Sequence, residues 1–84
     1  MKQQIRNFIE DNFFIHDEEA FEKLTDDNSL MDTGVIDSTG VLELVGWLEK
    51  TYSITVGDVD ITPSNLDSIN KIEVFVKKVK NEKN

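Results

Sequence analysis

The stretch Leu30-Met31-Asp32-Thr33-Gly34-Val35-Ile36-Asp37-Ser38-Thr39-Gly40-Val41-Leu42-Glu43-Leu44-Val45-Gly46-Trp47-Leu48 changes character in the middle. Its first part is a polar loop that turns at Gly34, a residue free to take a positive φ. Its second part has helical periodicity, predicting a helix from about Ser38 to Tyr52. Val41, Leu44, Val45, Leu48 and Tyr52 share one side of that helix, with Thr39, Glu43, Gly46 and Lys50 opposite. Leu42 and Glu49 lie on one flank, Gly40 and Trp47 on the other. Asp37 suits the N-cap, where its carboxylate can accept from first-turn amides. The hydroxyl of Ser38 then stands exposed at a helix N-terminus, whose free N–H groups and macrodipole favour a phosphate. Each helical glycine costs about 1 kcal/mol relative to alanine, so close approach of a neighbour is expected at both Gly40 and Gly46.

Outward from this centre, Ile5, Phe8, Ile9 and Phe13 fall on one face and predict a first helix over about 2–14. Lys2, Arg6 and Glu10 are placed outside, and Phe14 and Ile15 continue toward the core. His16 to Ile36 lacks sustained periodicity. It reads as a long loop pinned by Phe21, Leu24, Leu30 and Ile36, with one helical turn hinted at by Ala20, Phe21 and Leu24. Ser53 to Asp60 reads as a loop with apolar pegs at Ile54, Val56 and Val59. Thr62-Pro63 looks like an N-cap and first helical residue, opening a short helix over about 63–66. Ser68 caps a last helix over about 69–80, with Ile69, Ile72, Val76 and Val79 inward and Phe75 beside them. Its lysines suit a helix C-terminus, and residues 81–84 form a frayed tail. The fold class expected is all-α: a small four-helix bundle in one domain spanning 1–84, with a long loop between the first two long helices.

With 84 residues, 38% hydrophobic and 31% charged, the chain has one compact core and is not disordered. It contains no cysteine, which removes disulfides and thiolate metal sites from the argument. No apolar run reaches the roughly 18–20 residues of a membrane span, and the amino end is too polar for a secretory signal. A cytoplasmic protein is expected. The formal charge of −8 argues against nucleic acid and for basic partners. Acidic residues crowd the middle of the chain, while Lys71, Lys77, Lys78, Lys80 and Lys83 fill its carboxyl end.

The spacing Ser29-Leu30-x-x-x-Gly34-x-x-Asp37-Ser38, followed by Val41, Leu44 and Leu48, resembles the acyl and peptidyl carrier protein family. The resemblance extends over nearly the whole chain, through the turn before Asn65-Leu66-Asp67-Ser68-Ile69 and the closing helix. It implies a non-catalytic carrier, with 4′-phosphopantetheine from coenzyme A attached to Ser38 and with Asp37 and Gly34 shaping the attachment site. A phosphopantetheinyl transferase would activate the hydroxyl, since no histidine stands near it in sequence. The arm's thiol would let a cysteine-free chain carry thioesters. An adenylate-forming acyl or aminoacyl ligase would load it, and a downstream acyl transferase or synthase would unload it. Partners would dock on Thr39, Leu42, Glu43 and Trp47, in small, fast encounters with a monomeric carrier.

Thr39 replaces the Leu or Met usual in the family after the serine, and Gly40 replaces a common acidic residue. Both departures point away from housekeeping fatty-acid synthesis, toward a stand-alone carrier of a specialised pathway bearing an acyl, aryl or aminoacyl group. The competing function is a cofactor-free acidic helical module that binds a basic partner. Asp32-Thr33-Gly34 matches the aspartic-protease triplet, but that chemistry needs paired carboxylates on a strand-rich scaffold. The acidic run from Asp26 lacks the glycine and closing glutamate of a calcium loop. His16 reads as a solvated loop residue, and the terminal lysines as a solvated helix face.

Overall fold

A computed structural model of the chain describes residues 1–13 and 18–82. The elements are α1 (Lys2–Phe13), α2 (Glu18–Glu22), α3 (Ser38–Tyr52), a 3₁₀ turn (Asp58–Asp60), α4 (Pro63–Leu66) and α5 (Ile69–Glu82). No strand occurs among the described residues, and the architecture is a small helical bundle. None of its helices is long and apolar enough to cross a membrane. Phe14, Ile15 and His16 lie outside the described residues.

The core forms where the apolar stripes of α1, α3 and α5 meet. Ile5 and Ile9, Leu44 and Leu48, and Ile69, Ile72 and Val76 are all fully buried. Each such side chain gains roughly 1.5–3 kcal/mol over exposure, more than the local propensity of any residue in these helices. Tertiary packing, not propensity, therefore holds the short elements. α2, only five residues long, is the turn hinted at by Phe21, which packs half-buried against the core just before buried Leu24. Leu30 and Ile36 are buried as expected.

The helix ends show why the chain turns where it does. Ser68, itself buried, accepts the Lys71 amide at 3.1 Å and starts α5. α3 stops at Ser53, whose φ of 55° is left-handed and whose N–H returns to the Glu49 carbonyl. Lys80 Nζ donates to the Tyr52 carbonyl at 3.3 Å, satisfying another acceptor at that end. α3 and α5 therefore run in the same direction, finishing side by side. Tyr52 donates its hydroxyl hydrogen to Gln4 Oε1 at 2.8 Å, so α1 begins where α3 finishes.

Several expectations need correcting. Arg6 does not point outside: it reaches Asp26 Oδ1 at 2.9 Å and the Leu24 carbonyl at 3.3 Å, over the Phe21 ring. A guanidinium can lie along apolar surface when its donors find acceptors there. Val59 is no peg, being 86% exposed, because the 3₁₀ turn swings it outward. Ile54 and Val56 are buried. Gly46 has nothing within 4 Å of where a Cβ would stand, so no neighbour demands it. Thr62 holds the N-cap position with Pro63 after it, but its side chain makes no capping hydrogen bond. α5 continues through Glu82 rather than ending near 80.

Candidate functional site

Ser38 is the first residue of α3 and is exposed. Asp37 before it has extended backbone, and its Oδ1 accepts the Gly40 amide at 2.7 Å. The Asp37 carbonyl takes the Val41 amide at 3.0 Å. The amides of Ser38 and Thr39 have no partner within the helix, as expected for a first turn. Among the described residues, nothing hydrogen-bonds the Ser38 side chain. The hydroxyl is thus presented at the positive end of a 15-residue helix.

The approach to Ser38 is a closed turn. Thr33 N donates to Ser29 O at 3.1 Å, Gly34 N to Met31 O at 3.0 Å, and Ile36 N to Leu30 O at 3.0 Å. Gly34 has the expected positive φ, +78°, which reverses the chain so that Ile36 enters the core. Gly40 is buried against α1, where an added Cβ would stand 3.0 Å from Phe13 Cε1. Close approach is therefore the reason for glycine at this position.

Beside Ser38 lies a groove of about 270 Å³. It is lined by Leu30, Met31 and Ile36 from the turn, Val41 and Leu42 of α3, and Ile61, Pro63, Leu66 and Asp67 from the segment around α4. Ser38 lines it as well. Ile61, Pro63 and Leu66 had no functional weight in the sequence, because the groove brings together segments that no linear spacing connects.

The expected docking residues do not share one environment. Leu42 is 63% exposed, and Thr39 and Glu43 are exposed on the same helix. Trp47 is half-buried on the other flank, stacked on Phe8 with centroids 4.5 Å apart and edge-on to Tyr52. Among the described residues, no general base is hydrogen-bonded to the Ser38 hydroxyl. Histidine does not occur among the described residues, and Asp37 spends a carboxylate oxygen on the helix cap. Asp32, Thr33 and Gly34 lie within the turn, not in a strand.

No protein-family model matches the chain. Individual proteins do. It is 36% identical over 72 residues to a D-alanyl carrier protein of Streptococcus suis (strain 05ZYH33), covering 86% of this chain and 85% of that one. This chain belongs to the acyl and peptidyl carrier protein family. A second D-alanyl carrier protein, from Abiotrophia defectiva, is 27% identical over 78 residues, covering 93% of this chain and 94% of the relative. The protein is accordingly a carrier, not an enzyme.

Proposed function

We propose that this carrier bears 4′-phosphopantetheine on Ser38 and shuttles a small aminoacyl group, of the D-alanyl type, as a thioester. The observation that carries the reading is the exposed Ser38 hydroxyl at the head of α3, without a partner among the described residues. The residues present fit the group. A phosphate on Ser38 would sit at the helix end that favours anions, and the apolar groove beside it offers a surface to a pantetheine chain. The group, when attached, supplies a terminal thiol on which a carboxylic acid is held as a thioester.

The chain's own residues position and present. Asp37 holds the first turn of α3 so that Ser38 stays at its head, and Gly34 lets the preceding turn close beneath it. Activation of the hydroxyl falls to a phosphopantetheinyl transferase, loading to an adenylate-forming aminoacyl ligase, and unloading to a downstream acyl transferase or synthase, all in the cytoplasm. Thr39, Leu42 and Glu43 form the docking face, with the exposed edge of Trp47 at its margin. A monomeric carrier lets the same face meet each partner in turn.

Incubation with coenzyme A, Mg²⁺ and a broad-specificity phosphopantetheinyl transferase should add one phosphopantetheine to the intact mass, and Ser38→Ala should abolish the addition. A wild-type chain that stays at its apo mass with an active transferase sinks the proposal, leaving a cofactor-free binding module. The modified carrier should then accept D-alanine from an ATP-dependent ligase as a hydroxylamine-labile adduct.

A further inference from the structure

Asp67, between α4 and α5, gathers the turn that leads to Ser38. One carboxylate oxygen accepts the Ser29 hydroxyl at 2.6 Å and the other accepts the Met31 amide at 2.9 Å. The Asp67 carbonyl accepts the Leu30 amide at 2.7 Å. Ser29 Oγ in turn accepts the Asp32 amide at 3.0 Å, so a single side chain organises both ends of the tight turn. That turn is closed on itself by the Ile36-to-Leu30 bond and runs directly into Asp37 and Ser38. Asp67, Ser38 and Met31 also line the same groove.

Hydrogen bonds to a charged acceptor are about twice as strong as neutral ones. Two bonds to the Asp67 carboxylate, flanking one to its carbonyl, make a latch and not an incidental contact. Thr39, beside the attachment point, is polar, and Met31 is a large apolar side chain, 42% exposed, whose place depends on the latch.

We infer that Asp67 is a positioning residue for modification at Ser38: through Ser29 and Met31 it sets the loop wall that a modifying enzyme meets beside the hydroxyl. This rests on attachment at Ser38, as proposed above. Asp67 touches neither the hydroxyl nor the incoming phosphate, so its loss acts on recognition of the apo carrier more than on turnover.

The test compares the apo wild type with Asp67→Ala, Asp67→Asn and Val76→Ala as substrates of a phosphopantetheinyl transferase with coenzyme A. Asp67→Ala should raise the KM for the carrier about ten-fold with kcat little changed, and Asp67→Asn, keeping one acceptor oxygen, should fall between. Val76→Ala removes core packing far from the loop and should lower Tm without moving KM. Independently of any modification, amide exchange at Met31 and Asp32 should quicken by at least about ten-fold in Asp67→Ala, while Ile72 in α5 keeps its protection. An Asp67→Ala chain modified with wild-type KM, unchanged exchange at Met31 and Asp32, or a Val76→Ala chain showing the same KM rise would each overturn the inference while leaving the carrier reading intact. An unmodified wild type would remove both.

Discussion

A methyl group added at Gly40 would meet Phe13 Cε1 at 3.0 Å and Ile36 Cγ2 at 3.3 Å, whereas one added at Gly46 meets nothing within 4 Å. Alanine restores about 1 kcal/mol of helix propensity at either site, but overpacking costs about 1–3 kcal/mol. Gly46→Ala should therefore raise stability in urea unfolding and Gly40→Ala should lower it. Equal gains at both would mean that Phe13 yields freely. At Gly34 the space is open, so the cost of Gly34→Ala is that of the left-handed backbone, about 1–2 kcal/mol.

Tyr52 gives a pH signature. Burial, and secondarily the charge of Glu73, push its phenol above its ordinary value near 10. The fold holds the phenol neutral, while the unfolded chain ionises near pH 10. Its contribution is complete below that pH and is lost as pH climbs through the raised folded value. The Tm difference between wild type and Tyr52→Phe should be constant to about pH 9.5 and then narrow. A difference that stays constant to higher pH would show that the phenol ionises alike in both states.

At the scale of elements, the segment 23–37 is held by polar ties and not by periodicity. Arg6 donates to Asp26, the Asp26 carbonyl takes the Asn70 amide at 3.0 Å, and Asn70 Nδ2 donates to Asp27. Arg6→Ala removes a charge-assisted bond and the cover over Phe21. Because Arg6 and Asp26 are only partly buried, the loss should be about 1 kcal/mol, read in urea unfolding and accompanied by faster exchange at Asn70. Intact protection of Asn70 would mean that the segment stays put without Arg6.

This also explains what was legible in the sequence. α1, α3 and α5 announce themselves because apolar residues recur at 3.6-residue spacing. Asp37, Ser38 and Gly34 were readable because cap, hydroxyl and turn lie within one short stretch. Arg6 and Asp67 were not, since their partners lie far off in the chain and nothing local marks them. Val59 misled because alternation suggests burial, while the 3₁₀ turn between two aspartates obeys a different geometry.

Over the whole molecule, the formal charge of −8 sets a repulsive background. Salt screens it, so 0.5 M NaCl should raise Tm, by about 4–8 °C for each kcal/mol recovered. Unchanged or lower Tm would indicate that attractive pairs, such as Arg6–Asp26, offset the repulsion. The family was legible at this scale from the Gly34, Asp37 and Ser38 spacing set within the order of elements. The groove was not, being assembled from the loop, α3 and the segment around α4.

α3 and α5 point the same way, and the lysines of the last turns gather where Lys80 meets Tyr52, far from the aspartates around Ser38. Such an arrangement experiences a torque in the field of a positively charged enzyme. The carrier would be swung round in solution before any atom touches, arriving serine first. A domain that must visit several active sites in succession thereby spends less of each collision searching for the right way to face.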